Sequence, residues 1–270
     1  MRSICAPIMK APVLVLLLTA LAVTPQNLPP LNDGEAHGDP RYLLEEGWTP
    51  LLNGKNLDGW HGQDGKPLQW FAAKGVRWDG QDAHQLLSAV PAPGGSILNG
   101  HAGRASNLVT DGKFGDVELY LEFLIPRNSN SGVYLHGLYE IQVKDSHGVE
   151  QPTSHDCGGV YERQVKGKGG VGGVPPLRNA ARPAGQWQSF EIWFRGPRVA
   201  PDGRKTENAR FLRVLHNGVL VQENVEVEGP TTSAMSMPEA PTNPLMLQGD
   251  HGPVAYRNIY IRPLRPFGAK

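Results

Sequence analysis

Residues 118–125 (ELYLEFLI) alternate without a break: Leu119, Leu121, Phe123 and Ile125 fall on one side, and Glu118, Tyr120 and Glu122 on the other. A side-chain period of two is the signature of a strand with one apolar face, and it is incompatible with an amphipathic helix. Residues 139–144 repeat the pattern, with Tyr139, Ile141 and Val143 opposed to Glu140, Gln142 and Lys144. Further short runs follow at 131–136, 187–194, 210–216, 219–227, 244–248 and 254–262, separated by Gly, Pro, Asn and Asp. Asn217-Gly218 lies between two of them, and a two-residue hairpin of type I′ needs positive φ at both central positions. Many strands, regular turns and no long helical period predict an all-β fold, two antiparallel sheets packed face to face. No repeat of fixed period suggests a propeller.

The N-terminus reads as an export signal. Arg2 and Lys10 precede an apolar run at 11–23, and Ala20-Leu21-Ala22 supplies a small-x-small cleavage pattern, so residues 1–22 are expected to be removed. The run is shorter than the about 20 residues that span a bilayer comfortably, and Cys5 lies before it, where a lipobox cysteine would lie after. Residues 23–44, rich in Pro, Gly, Asn and Asp, read as a linker or N-terminal arm, and the domain as 45–265. After cleavage Cys157 is the single cysteine, which excludes an intramolecular disulfide and leaves stability to the core. The 26 basic and 26 acidic residues balance. No basic stripe favours nucleic acid and no polybasic patch favours a membrane, so the expected partner is neutral or weakly polar, met in the periplasm or outside the cell.

Periodicity is lost across 147–182, and a loop that long is often functional. It carries His147, His155, Asp156, Cys157, Tyr161 and Arg163, and reads either as a mobile lid over a site, with Arg163 a candidate substrate ligand, or as a structural excursion. Its Gly167–Gly172 stretch matches G-x-G-x-x-G. Two prolines, Pro175 and Pro176, follow where the fingerprint needs a helix, so it is read as a loop and not a nucleotide site. No spaced pair of zinc-type ligands occurs, so no metal site is assigned.

The polar face at 139–144 is the best candidate for chemistry. Glu140 and Gln142 project together, roughly 6–7 Å apart, and Tyr134 and His136 are expected beside them on the neighbouring strand. A Glu, a Gln, a His and a Tyr offer proton transfer, hydrogen bonding and a stacking surface; an ordinary solvated face has the same spacing. Asp145 stands an odd number of residues from Glu140, so this pair does not establish the carboxylate separations of glycosidases, about 5–5.5 Å or 6.5–9.5 Å. Gln248-Gly249-Asp250-His251-Gly252 ends a later strand. Its Asp250-His251 pair is either a base with an orienting group or a turn in which Asp250 caps backbone amides.

Several of these segments resemble a known family in order along the chain. LLNGKNLDGW (51–60), NLVT (107–110) with FGDVEL (114–119), NSGVYL (130–135) with YEIQVKDS (139–146), GQWQSFEI (185–192), HNGV (216–219) and LQGDHG (247–252) are similar to blocks of the 3-keto-disaccharide hydrolase family. The resemblance covers roughly 45–263. It implies a concanavalin A-like jelly roll of the lectin/glucanase type and hydrolysis of glycosides whose sugar carries a ketone at C3, by base-assisted elimination and hydration or directly at C1. It implies no required cofactor, although a divalent cation could polarise the ketone. Glu140, His251 and Asp250 are then the catalytic candidates, and Tyr134, His136, Gln142, Asp145, Gln248 and Arg163 the substrate ligands. Gly249 is inserted relative to the family pattern, and His136 replaces a Gln or Arg. A non-catalytic carbohydrate-binding module is the alternative from another class, since jelly rolls serve both ends.

Overall fold

A computed structural model describes residues 46–265, Ala83 excepted. The expected signal segment, 1–22, and arm, 23–44, lie outside the described residues. Thirteen strands build the two main sheets: β1 Thr49–Pro50, β2 Trp60–Gly62, β3 Phe71–Ala73, β4 Ser96–Leu98, β5 Leu108–Phe114, β6 Val117–Leu124 and β7 Asn130–Leu135 come first. After them run β8 Tyr139–Lys144, β9 Gln188–Arg195, β10 Ala209–His216, β11 Val219–Val227, β12 Asn243–Leu247 and β13 Ala255–Pro263. The eight-stranded sheet has the order β11-β10-β9-β6-β13-β4-β3, with β1 paired to β13, and the five-stranded sheet has the order β8-β7-β12-β5-β2. Every pairing in both sheets is antiparallel. The expected two-sheet jelly-roll sandwich is what forms. Among the described residues no helix is long and apolar enough to cross a membrane.

The apolar side of each alternating strand meets its counterpart between the sheets. Leu119, Leu121 and Phe123 of β6 and Phe190, Ile192 and Phe194 of β9 belong to one buried cluster with Val133, Leu135, Ile141, Val143 and Leu247 of the smaller sheet. With this face in the core, register is fixed, because a slip of one residue would turn every apolar side chain to the outside. The Asn217-Gly218 hairpin has φ of 52° and 77°, as the turn type requires.

The other side of β6 is polar by alternation, yet all eight residues of β6 are buried. Glu122 accepts from Arg257 Nε at 2.6 Å and from the Tyr120 hydroxyl at 2.7 Å, and Glu118 accepts from Arg262 Nε at 2.7 Å. The Arg257 and Arg262 guanidinium groups in turn lie over the rings of Trp187 and Trp48, at 4.1 and 4.3 Å. Long cationic side chains thus cover the carboxylates with their apolar stems and aromatic neighbours.

The 147–182 segment also differs from a free lid. Gly158–Tyr161 runs along the outer edge of β8: Gly158 N donates to Gln142 O, Gln142 N to Gly159 O and Tyr161 N to Glu140 O. Val160 pairs in both directions with Val174, and Cys157 and Val160 are fully buried in the core. Sequence gives no sign of this docking, because the pairing is local to four residues and carries no periodic signal. The glycine-rich stretch forms half of a two-stranded ribbon, Arg163–Val165 against Gly169–Val171, with no helix following it.

Candidate functional site

The site grows from the outer face of the five-stranded sheet. Cross-strand register aligns Glu140 of β8 with Tyr134 of β7, Met246 of β12, Val109 of β5 and His61 of β2. The next row on the same face starts at Gln142 opposite Gly132. It continues through Gln248, whose N–H donates to Gly132 O at 2.9 Å, to Asn107, whose carbonyl accepts from Gln63 N at 2.8 Å. Two rows therefore cross a face whose reverse side is core, the first with Met246 and Val109 at its centre and the second polar.

Glu140 is 3% exposed, and its carboxylate sits over Gly132. A β-carbon at Gly132 would lie 2.1 Å from Glu140 Oε1 and 3.0 Å from the Tyr134 ring, so the absent side chain is what makes room for the carboxylate. Burial pushes the Glu140 carboxyl up to about 8; the nearby Tyr134 hydroxyl favours the ionised form and the negative charge of Asp250 opposes it. Tyr134 is itself raised by burial and by the Glu140 charge, and its hydroxyl donates to Thr232 O at 3.1 Å.

Two covering segments account for the burial. Thr231 Oγ1 accepts from Glu140 N at 3.2 Å and donates to Leu138 O at 3.1 Å, while Ala234 and Met235 pack on Val109, Tyr134 and Met246. On the opposite flank Tyr161 is close enough for the Glu140 charge to raise its hydroxyl, although burial is the larger cause. The Tyr161 ring stacks on His155 at 4.8 Å, and His155 Nε2 lies 3.1 Å from Glu162 Oε2.

Of the residues selected from sequence, Glu140, Gln142, Tyr134 and Gln248 share this face, and Asp250 stands at its mouth. His251 Nδ1 contacts Asp250 Oδ1 at 2.6 Å, and both residues are about half exposed. The inserted Gly249 is absorbed by close packing. A β-carbon there would meet Ser106 O at 2.7 Å, while Gly249 O accepts from Ala105 N and Asn99 Nδ2, and Gly249 N donates to Asn107 Oδ1.

Three expected ligands lie elsewhere. The hairpin turn begins at His136, not Gly137, with φ of 57° and 63° at those residues. That left-handed backbone carries the His136 ring away from Tyr134 and against Tyr139 and Phe194, with Nε2 3.1 Å from Gly115 O. Burial depresses its pKa. Asp145 follows the end of β8 and accepts from Asn128 N at 3.0 Å, as its odd spacing from Glu140 foreshadowed. Arg163 is paired with Glu228. Asn107, Gln63, Thr231 and Tyr161 are additions. Asn107 and Gln63 could be found only by knowing the strand register, and Thr231 and Tyr161 come from segments without periodicity. Among the described residues no group of three or more His, Cys, Asp or Glu side chains is placed to hold a metal ion.

The two-sheet β-sandwich carries a buried carboxylate among amides and tyrosines on one outer face, and comparison with known proteins gives the family. Residues 47–262 match the model of the 3-keto-alpha-glucoside-1,2-lyase-like domain, and the chain belongs to that family. Among solved structures, a candidate glycosyl hydrolase from Parabacteroides distasonis ATCC 8503 is similar with a TM-score of 0.57 and 25% identity, over 81% of this chain and 84% of that one. A second candidate glycosyl hydrolase from the same organism shares the fold, with a TM-score of 0.51 and 16% identity over 87% of this chain and 100% of that one. No curated protein matches the sequence.

Proposed function

We propose that this protein acts outside the cytoplasm on glycosides whose sugar carries a ketone at C3, and cleaves them by elimination across C1 and C2. The observation that carries the reading is Glu140, a buried carboxyl raised to about 8 above an unobstructed glycine floor. A ketone at C3 acidifies the hydrogen at C2. The Glu140 carboxylate takes that proton, the C2–H electron pair forms the C1–C2 double bond, and the C1–O bond breaks. The departing oxygen takes a proton from His251, whose Nδ1 is held by Asp250. Water adding across the double bond in a second step would make the net reaction a hydrolysis.

Charge developing on the C3 oxygen needs a donor. Gln142 Nε2 already donates to His155 O at 3.3 Å, and His136 is buried elsewhere, which leaves the Gln248 amide. The proposed steps use side chains alone.

The test replaces Glu140 by Gln, which keeps size and hydrogen bonding while removing proton exchange. On a 3-keto-glucoside, turnover should fall by about a hundredfold or more with binding retained, as general-base catalysis typically contributes 10²–10⁴-fold. In the unaltered protein kcat/KM should be bell-shaped in pH, because the Glu140 base works only after losing a proton that burial holds up to about 8, and the His251 acid only while it keeps one. Undiminished turnover in Glu140→Gln removes the reading. Binding of the sugar with no turnover in either protein favours a carbohydrate-binding module instead.

A further inference from the structure

A polar cleft of about 460 Å³ adjoins the site, lined by Gln63, Lys66, Gln69, Arg104, Asn107 and Asp250 among others. Asp250 belongs to both regions: it borders the cleft, and its charge acts on Glu140. The row Gly132, Gln248, Asn107 leads from beneath the Glu140 carboxylate to the cleft wall. We propose that this cleft is the leaving-group subsite and that it takes a leaving group bearing an anionic substituent, a carboxylate or a phosphate. The proposal rests on the reading of Glu140 given above and adds the chemistry of the other half of the substrate.

The hydrogen bonds of the wall decide the polarity. Asn107 Oδ1 accepts from Gly249 N at 2.9 Å, a backbone donor that fixes the amide orientation. Asn107 Nδ2 is therefore the atom that donates to Gln63, at 2.8 Å, and Gln63 must present Oε1 to it. Gln69 Oε1 likewise accepts from Ser106 N at 3.0 Å. All three amide oxygens are already engaged inside the wall. What remains are donors: Gln63 Nε2, Gln69 Nε2 and the Lys66 ammonium have no acceptor among the described residues, and Arg104 uses only Nη1, on the Asp250 carbonyl at 2.7 Å.

Two cations face one carboxylate, and that carboxylate is engaged by His251 Nδ1 at 2.6 Å. A neutral polyol presents donors and acceptors in equal measure, and the unengaged groups of this wall match its acceptors better than its donors. An oxyanion presents acceptors only, and each charge-assisted bond is stronger than a neutral one.

The experiment titrates D-glucuronate, D-glucose 6-phosphate and D-glucose into the full-chain protein and follows binding by NMR chemical shifts. At least one anionic sugar should bind about tenfold or more tighter than glucose at low salt, a difference that one or two charge-assisted hydrogen bonds supply. The preference should shrink as salt is raised, and should fall in Lys66→Gln and in Arg104→Gln but persist in Glu140→Gln. The two anions separate carboxylate from phosphate recognition. Equal binding of all three sugars, or a preference that survives both cleft substitutions, overturns the proposal. The outcome is independent of catalysis. A charge preference without turnover of 3-keto-glycosides would remove only the elimination reading, and turnover without a charge preference would remove only the subsite.

Discussion

The outer faces of the two sheets both bury glutamates, and they do opposite things with them. On the eight-stranded sheet Glu122 and Glu118 lie against Arg257 and Arg262, at 2.6 and 2.7 Å. On the five-stranded sheet Glu140 is equally buried, but the groups acting on its carboxyl are a tyrosine hydroxyl and a second carboxylate, with no arginine or lysine. The first arrangement neutralises charge and fixes geometry. The second leaves a proton acceptor whose affinity has been lifted into the range where it can exchange with substrate at moderate pH. Residue type and strand position are the same in both places; the neighbour across the face decides between a strut and a base.

The largest expected effect tests the strut. Arg257→Ala removes the cation that pairs with Glu122, 1% exposed, and leaves that buried carboxylate without its guanidinium. Losing one partner of such a pair costs about 3–5 kcal/mol, so the denaturation midpoint should drop clearly while the folded fraction still turns over substrate. A loss below about 1 kcal/mol would mean that solvent reaches this face and that the contrast between the sheets is overstated.

The base is tested next by filling its space. Gly132→Ala puts a methyl group where Glu140 Oε1 now lies 2.1 Å from the added carbon, so the carboxylate has to move. Displacement of a catalytic group by about 1 Å can cost on the order of 10²-fold in rate. Turnover should fall by about that factor with the fold retained by circular dichroism. Unchanged turnover would show that the chemistry does not depend on where Glu140 sits.

How much of this contrast is legible in sequence follows from what a period of two encodes. Alternation in β6 and β8 shows which residues leave the core, and it places Glu140 and Gln142 together. It is silent on what covers that outer face, so Glu118 and Glu122 read only as polar-face residues, and Glu140 reads as either a base or an ordinary surface residue. Covering depends on contacts between distant segments, such as Thr231 with Glu140 and Arg257 with Glu122. His136 shows the sharper limit. A turn starting one residue earlier than Gly137 reverses the side chain's direction, and the enrichment of histidine at positive φ is too weak to place His136 at φ 57° ahead of that glycine. Gln63 and Asn107 join the site only through register, which local sequence does not specify.

The last test is also the most discriminating, because it asks Glu140 to reveal its proton through stability alone. A carboxyl raised from 4.5 to about 8 in the folded protein holds its proton across that window, whereas the unfolded chain has released it. Native protein therefore binds more protons than unfolded protein between those values, and stability falls as pH rises through the window, by up to about 1.4 kcal/mol per unit. Above about 8 both states are ionised and the contribution becomes constant. Glu140→Gln cannot ionise, so it lacks this slope. Relative to the unaltered protein, the variant should gain stability progressively from about pH 5 to 8, and the gain should level off near pH 9. Urea denaturation of both proteins across that range reads the difference directly, and titrations common to both cancel. A stability difference independent of pH would place the Glu140 carboxyl in the ordinary range, and with it Glu140 would lose its distinction from the paired glutamates of the opposite sheet.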